Sequence, residues 1–238
     1  MSSSPGNKPG TVSLQFSEKY DPEHAKHYLE KHQNSLSSRL SHWRDVQLGR
    51  KALQIAGNPA TVLDLPCGAG RFWPMLAEQP NRSIIGADNS AAMVDIAMKA
   101  QPPEVTKRVR PLQTSAFAID LPDASVDSIF SIRLMHHIGQ PEHRAKMLGE
   151  FHRVSRDTVI LSLWVDGNLK AWKRKRLEAR RAAAGKTNGG YQNRFVLPAQ
   201  QVEQEFRDAG FKVLASMDFL PFLHMWRVYV LKKVPKKV

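Results

Sequence analysis

The chain has little cysteine and no long apolar run, and both absences exclude whole classes of protein. One cysteine, Cys67, stands among 238 residues, which excludes an internal disulfide framework and a cysteine-rich zinc site. No apolar stretch approaches the roughly 18–20 residues that a membrane-spanning helix needs. The opening MSSSPGNKPG also lacks the apolar segment of a secretory signal. The sequence therefore predicts a cytoplasmic protein with no spanning segment.

Acidic residues are also scarce. Thirty-five lysine and arginine residues against 22 aspartate and glutamate residues leave a formal net charge of +13. An excess of this kind favours an anionic partner such as a nucleic acid, a phosphorylated metabolite or a membrane surface. It is concentrated in two places: residues 170–186 hold eight basic residues and one acid, and four lysines lie between 232 and 237. The remainder, with 23 basic and 21 acidic residues, is nearly neutral, so the charge informs about the partner and not about the fold.

Short apolar runs alternate with segments of helical periodicity from residue 61 onward. We expect strands at 61–65, 83–87, 109–113, 126–132, 157–164, 211–217 and 225–231. This strand–helix–strand repetition predicts an α/β fold with a Rossmann-like, doubly wound and mostly parallel sheet of seven strands. Helices between 21 and 56 precede it. We predict a disordered tail at 1–12 and a single domain over 13–238, with a basic helical insertion or lid at 165–197.

The segment VLDLPCGAGRF, residues 62–72, combines a strand, a glycine turn and the start of a helix. Gly68 and Gly70 let a ligand approach the backbone without meeting a Cβ atom. The helix that follows directs its free N–H groups and the positive end of its dipole to the same place. In an open α/β sheet this first turn lies at the topological switch point, where ligands bind.

A second strand, IIGAD, ends in Asp88, 24 positions after Asp64, the acid that ends the first strand. A carboxylate at that place can accept hydrogen bonds from both hydroxyls of a ribose, so the ligand is predicted to be a nucleoside derivative. The turn continues as GAGRFW and lacks the third small residue of a dinucleotide fingerprint. Asp64 would also repel a pyrophosphate. A cofactor with an ammonium group and no phosphate fits this site better.

Three segments in order, VLDLPCGAGRF, IIGADNSAAM and LPDASVDSIFSIRLMHHI, resemble the class I S-adenosylmethionine-dependent methyltransferases of the small-molecule type. The resemblance covers roughly residues 40–165, with a weaker similarity through the C-terminal strands. It implies an enzyme of that class whose cofactor is S-adenosyl-L-methionine.

The resemblance also implies the cofactor contacts. Asp64 and the glycine turn would hold the methionine end, and Asp88 would hold the ribose. The residues implied around the adenosine are Asn89, Met93, Ser115, Ala116 and Phe117, without the acidic residue usual among the last three. Pro66 stands where the family usually has its first glycine; proline lacks a backbone donor, which leaves open how the turn holds the methionine moiety. Cys67, inside the turn, is expected to be a small buried residue and not a nucleophile.

Three residues after the fourth strand are candidates for the reaction itself. Methyl transfer from a sulfonium is an in-line displacement, so the protein mainly aligns the nucleophile and excludes water. A general base is needed only when the acceptor loses a proton as it reacts. By the resemblance, Arg133 lies between cofactor and acceptor. His136 and His137 follow it; either is a candidate catalytic residue, and a structural role for His137 is the alternative.

The basic segment 170–186 follows the fifth strand, where related enzymes often carry a lid over the acceptor pocket. As a helix it would have a narrow apolar stripe of Leu169, Trp172, Ala179 and Ala183, on which Arg176 intrudes. Four interpretations stay open: a lid facing an anionic acceptor, an interfacial helix on acidic lipid, an RNA-binding arm, or a solvated helix. Tyr191, Arg194 and Phe195 are candidates for the pocket mouth.

Three hypotheses about function follow. The first is an S-adenosylmethionine-dependent methyltransferase acting on a small or lipid-like anionic acceptor. The second changes the acceptor to RNA; the charge favours it, but no RNA-binding module is appended, and RLMH replaces the tetrapeptide of base-amine methyltransferases. The third is a non-catalytic binding protein that keeps the fold. No metal site is predicted, because His24 and His27 have no evident third ligand. The sequence sets neither the atom methylated nor the oligomeric state.

Overall fold

The computed structural model describes residues 36–185 and 194–234, without the side chains of the first two. Several predictions from the sequence concern other parts of the chain. The tail at 1–12, the helices predicted before residue 36, His24, His27, Lys186, Tyr191, Lys236 and Lys237 all lie outside the described residues.

Strands and helices alternate along the described chain. The helices are α1 (Leu36–Ile55), α2 (Trp73–Leu76), α3 (Ala91–Ala100), α4 (Pro103–Thr106), α5 (Pro141–Val154), α6 (Leu169–Ala183) and α7 (Ala199–Asp208), with a 3-10 turn at Met135–His137. The strands are β1 (Thr61–Asp64), β2 (Ser83–Asp88), β3 (Val109–Gln113), β4 (Val126–Ser131), β5 (Ser155–Val165), β6 (Val196–Leu197), β7 (Phe211–Asp218) and β8 (Trp226–Lys233). None of these helices is both long enough and apolar enough to cross a membrane.

The strands form one sheet in the order β3-β2-β1-β4-β5-β8-β7. Neighbours are parallel except at β8, which runs antiparallel to β5 and to β7. The two residues of β6 pair with the end of β5. The predicted Rossmann-like, mostly parallel sheet is confirmed. The described chain has eight strands and not seven, because a two-residue strand carries no periodic pattern that a sequence could show.

Apolar cores cover both faces of the sheet. Successive residues of a strand point to opposite faces, so Leu63 shares a core with α5 while Val62 shares one with α1. Burial on both faces explains why the central strands read as continuous apolar runs. Because β1, β2, β4 and β5 are parallel, they end at the same side of the sheet, called the carboxyl edge below. Their last residues are Asp64, Asp88, Ser131 and Val165.

The basic insertion forms α6, directly after β5. Asn168 caps the helix, since its side chain accepts a hydrogen bond from the backbone N–H of Ala171. Ala171 is the buried residue of α6 and packs in a small cluster with Trp164. The two large residues of the predicted apolar stripe do not pack inward: Leu169 is 45% exposed and Trp172 is 55% exposed. The helix therefore rests on the sheet edge by a small residue and presents its large apolar side chains outward.

Candidate active site

The glycine turn after β1 is fixed by backbone geometry. Gly68 and Gly70 have φ angles of +54° and +69°, the left-handed region that glycine adopts without strain. The backbone N–H of Cys67 donates to the carbonyl of Ala87 in β2, at 2.7 Å, and the peptide bond before Pro66 is cis. The turn is thus tied to the neighbouring strand at the carboxyl edge.

Asp88 links the two strand ends through its side chain. One carboxylate oxygen accepts a hydrogen bond from the N–H of Gly68 at 3.1 Å, and the other accepts one from Ser90 at 3.0 Å. Burial raises the pKa of Asp88. A carboxylate oxygen has two lone pairs, so both oxygens keep capacity for further donors. The acid predicted to bind ribose lies against the turn predicted to hold the methionine end.

Trp73 supports the other acid of the site. Its indole is fully buried, and its Nε1 donates to Oδ2 of Asp64 at 3.1 Å. Burial raises the pKa of Asp64 well above its ordinary range. A Cβ atom at Gly86 would lie 2.3 Å from the indole, and one at Gly70 would lie 2.8 Å from it. These two glycines form the slot that lets Trp73 reach Asp64.

The segments predicted to surround the adenosine lie beside Asp88. Thr114 donates its backbone N–H to the carbonyl of Asp88 at 2.9 Å, which brings the loop of Ser115, Ala116 and Phe117 to the end of β2. Asn89 is exposed and Met93 is buried on α3. Ala116 and Phe117 are buried too, and the ring of Phe117 packs against His143.

Cys67 is buried inside the turn, and its Sγ lies 3.6 Å from the carbonyl oxygen of Gly68. Burial, together with the negative charges of Asp64 and Asp88, raises the pKa of the thiol. The thiol therefore stays protonated at neutral pH and lacks the thiolate that nucleophilic chemistry needs.

Arg133 stands at the end of β4 with a left-handed φ of +68°. Its backbone N–H donates to the hydroxyl of Ser162 on β5 at 2.9 Å. Its guanidinium is 2.7 Å from the carboxylate of Asp45 on α1, and Arg71, just after the glycine turn, is 2.6 Å from the same oxygen. Asp45 thereby ties α1 to both the cofactor turn and the end of β4.

His136 lies in an aromatic wall. Its ring centre is 3.9 Å from that of His137, 5.0 Å from Trp164 and 4.6 Å from Trp226. Burial lowers the pKa of His136, and neighbouring cationic groups lower it further. His136 is therefore neutral at physiological pH, while His137 is half-buried beside it.

Cationic groups surround this aromatic wall. Arg174 lies 4.9 Å and Arg194 lies 5.8 Å from the ring centre of Trp164. Lys170 Nζ is 2.9 Å from Nε2 of His224. Burial, followed by the charge of Lys170, lowers the pKa of His224 to about 4. The insertion therefore brings positive charge to the carboxyl edge near β5 and β8.

A buried ion pair supports the turn that carries the two histidines. Arg144 of α5 is 1% exposed and donates twice to Glu205 of α7, at 2.7 and 2.6 Å. The same guanidinium donates to the carbonyls of Ile138 and Gly139, at 3.0 and 2.8 Å. Those carbonyls follow the 3-10 turn directly, so Arg144 holds the end of that turn.

Comparisons with known proteins point to methyltransferases. Residues 62–158 match the family model described as a methyltransferase domain. Over 110 residues the chain is 34% identical to the trans-aconitate 2-methyltransferase of Azoarcus sp. (strain BH72); the match spans 46% of this chain and 40% of the relative's length.

Two solved structures share the fold. One is the magnesium protoporphyrin IX methyltransferase of Synechocystis PCC 6803 with bound SAH, with a TM-score of 0.64 at 18% identity over 84% of this chain and 89% of that one. The other is a SAM-dependent methyltransferase from Aquifex aeolicus, with a TM-score of 0.62 at 22% identity over 91% and 100%. Residues 62–158 are a methyltransferase domain. The family resemblance read from the three sequence segments is confirmed.

The methyltransferase domain brings the predicted cofactor residues together around the ends of β1 and β2. It places Arg133, His136 and His137 after β4, on the other side of the same edge. Sequence reasoning missed Trp73, Asp45 and Trp226, although each contacts a predicted residue. A signal for Trp73 existed, because a glycine inside a buried strand often marks a close neighbour.

Proposed function

We propose that the protein transfers a methyl group from S-adenosylmethionine to a small anionic acceptor. The observation that carries this proposal is the pair of acids, Asp64 and Asp88, held on either side of the glycine turn. The space beside the turn fits a ligand: among the described residues, a Cβ atom at Gly68 would meet nothing nearer than Met93 at 3.9 Å.

The chain's own residues have defined parts in this proposal. S-adenosylmethionine, when bound, supplies a methyl group on a positively charged sulfur that is a good leaving group. Asp64 and the turn from Pro66 to Gly70 would hold its methionine end, and Asp88 would hold its ribose. The adenosine would lie among Asn89, Met93, Ser115, Ala116 and Phe117. The aromatic wall would exclude water from the acceptor side, which matters because alignment and water exclusion are the main demands of this reaction.

The acceptor is proposed to be an anion because arginine side chains surround the proposed acceptor side. Arg133, Arg174 and Arg194 lie around Trp164 and Trp226, and guanidinium groups are well suited to bind carboxylates. The curated relative is named for trans-aconitate, which is an anion at neutral pH. A carboxylate acceptor loses no proton when it is methylated on oxygen, so it would need no general base. His136 and His137 would then shape the acceptor side, and His137 would face the acceptor.

Calorimetry with S-adenosylmethionine tests the first step of this proposal. Intact protein is expected to bind, and Asp88→Ala is expected to bind far more weakly. Labelled cofactor then tests transfer to trial acceptors, with trans-aconitate as the first. If the intact protein binds no cofactor, and Asp88→Ala behaves the same way, the methyltransferase proposal fails and the non-catalytic binding protein becomes the better hypothesis.

RNA as the acceptor, a lipid-like acceptor and a cytoplasmic location stay predictions. The basic surface of α6 supports RNA, since phosphate contacts by lysine and arginine supply most non-specific affinity for nucleic acids. Transfer to RNA in the labelled assay, with binding that weakens steeply with salt, would favour it over a small anion.

A further inference from the structure

A patch of exposed apolar residues lies at the carboxyl edge, built from two segments far apart in sequence. Leu169 and Trp172 of α6 are 45% and 55% exposed, and Phe222 and Leu223 of the β7–β8 turn are 84% and 57% exposed. Two backbone hydrogen bonds join the segments: Leu169 N–H donates to the carbonyl of Phe222 at 2.9 Å, and Lys170 N–H to that of Leu223 at 3.2 Å. The α6 patch, as we call it, consists of Leu169, Lys170, Trp172, Lys173, Arg176, Phe222 and Leu223.

Basic side chains flank the apolar ones on α6. Lys173 and Arg176 are exposed. Each lies four positions after an apolar residue of the patch, Lys173 after Leu169 and Arg176 after Trp172, and therefore on the same side of the helix as that residue. The guanidinium of Arg176 is 5.3 Å from the ring centre of Trp172. The one acid of α6, Glu178, is paired with Arg174 at 2.8 Å. The outward face of α6 is therefore apolar and positively charged at once.

The most exposed residue of the patch sits on a strained backbone. Phe222 has a φ of +60°, a region that bulky side chains rarely adopt. The turn holds an aromatic ring out in solvent, where it gains nothing from the core. A strained backbone conformation persists only when the surrounding structure enforces it, and such conformations cluster at functional sites. The left-handed φ of the exposed Phe222 therefore indicates a function at this surface.

We propose that the α6 patch docks the protein on an anionic membrane surface. The four apolar side chains would enter the boundary between headgroups and acyl chains, and the basic residues would contact lipid phosphates. Docking is separate from methyl transfer and extends beyond the proposed function. Since His224 and Trp226 directly follow Leu223, the patch borders the acceptor side of the site, and docking would bring that side to the membrane.

The apolar half of the patch favours lipid over nucleic acid. RNA would engage the same lysines and arginines through its phosphates, and an aromatic ring such as Trp172 can stack on a base. Leu169 and Leu223 have no such use on RNA. Together with the outward ring of Phe222 they match an interfacial surface, which combines an apolar face with lysine and arginine.

Vesicle flotation with the full chain tests the proposal without cofactor. The protein is expected to float with vesicles of phosphatidylcholine and phosphatidylglycerol and not with phosphatidylcholine alone. Two variants should each lower binding by about tenfold: Trp172→Ala/Phe222→Gly, which removes both rings and relieves the strained φ, and Lys173→Glu/Arg176→Glu.

Matched controls separate the patch from general effects. Leu214→Ala removes an exposed apolar side chain of β7 (43% exposed), and Lys107→Glu/Arg110→Glu reverses two exposed charges near the start of β3. Both should bind vesicles like the unchanged protein, and thermal unfolding checks that all variants fold. The proposal is overturned if the intact protein does not float, or if controls and patch variants behave alike. It is equally overturned if an RNA oligonucleotide binds while vesicles do not. None of these outcomes depends on cofactor binding, so a failure here is distinct from a failure of the methyltransferase proposal.

Discussion

The carboxyl edge has two halves that differ in charge and in the kinds of side chain they carry. The ends of β1 and β2 are called the cofactor half below, and the ends of β4 and β5 with the start of β8 are called the acceptor half. At the ends of β1 and β2, the residues facing the site are carboxylates on a glycine-rich backbone, with Asp64 buried and Asp88 half-buried. At the ends of β4 and β5 and at the start of the antiparallel β8, they are guanidiniums and aromatic rings. Asp45 lies between the halves and contacts Arg71 on one side and Arg133 on the other.

Under the proposed function, one sheet edge would serve two ligands of opposite charge. Carboxylates suit a cofactor that carries a sulfonium and an ammonium group, and arginines suit an anionic acceptor. The formal charge of +13 does not describe the cofactor half, because much of it lies on the C-terminal lysines and on α6, which borders the acceptor half.

The largest expected effect is on the stability of the acceptor half. Arg144→Met leaves Glu205 without its buried partner and removes two donors to the turn after His137. We expect a loss of about 3 kcal/mol in the free energy of unfolding, because the half-buried carboxylate of Glu205 (17% exposed) loses its charged partner and the carbonyls of Ile138 and Gly139 lose their donor. Urea denaturation measures it.

An exposed ion pair between α1 and the segment after α2 provides the control. Arg50 and Glu78 also form a bidentate pair, but their side chains are 41% and 48% exposed. Arg50→Met should cost no more than about 1 kcal/mol. Equal losses for the two variants would contradict the anchoring role of Arg144.

The next largest effect concerns cofactor binding. Asp88→Ala removes the acceptor of the Gly68 N–H and the proposed ribose ligand, and we expect the affinity for S-adenosylmethionine to fall by about a hundredfold. Calorimetry measures it. Asp95→Ala, an exposed acid on α3, is the matched control and should bind normally. A normal affinity in Asp88→Ala would show that this half does not hold the ribose.

A smaller effect is expected on the acceptor side. Arg133→Gln should raise the KM for a carboxylate acceptor about tenfold while the affinity for S-adenosylmethionine stays unchanged. Steady-state kinetics with trans-aconitate, or with another carboxylate active in the labelled assay, separates KM from kcat. Arg133→Lys should recover part of the loss. If Arg133→Gln lowered the affinity for S-adenosylmethionine instead, the division of the edge into two halves would be wrong.

The smallest effect is a pH dependence in the cofactor half. Burial raises the pKa of Asp64 in the folded protein, so the folded state holds the proton of Asp64 more tightly than the unfolded state does. The stability that this proton contributes is fully present below the ordinary pKa of an aspartate. It is lost as the pH rises through the raised pKa of the folded protein. Asp64→Asn should lack that loss. Trp73→Phe, which removes the hydrogen-bond donor, should extend it to higher pH. Unfolding free energies across acidic to neutral pH measure the difference, and parallel curves for all three proteins would refute it.

The sequence predicted the strands, which depend on local periodicity, and the glycine turn, which depends on a short segment. The seven strands appear with ends within two residues of prediction, because buried parallel strands and amphipathic helices impose their patterns locally. The pairing of Asp88 with the glycine turn was also predictable, since both follow strands that lie side by side.

Contacts between distant side chains could not be predicted in the same way. The carboxylate of Asp45 reaches Arg133, 88 positions away, and nothing in either neighbourhood marks the pair. The aromatic wall joins Trp164 and Trp226, which become neighbours only when β8 enters the sheet antiparallel to β5. The sequence indicates an apolar stripe on α6, but it does not indicate whether that stripe faces the core. The direction depends on how the helix packs against the sheet, and Leu169 and Trp172 are in fact exposed.

The slot around Trp73 has a consequence for how this turn can change in evolution. A Cβ atom at position 86 would lie only 2.3 Å from the indole of Trp73, so alanine at 86 would be tolerated only with a smaller residue at 73. A smaller residue at 73 would in turn remove the indole N–H that donates to Asp64. The three positions 70, 73 and 86 are therefore expected to co-vary among relatives. If the glycine turn and Trp73 were transplanted into another methyltransferase domain, glycine would also be required at the position of Gly86 in the second strand.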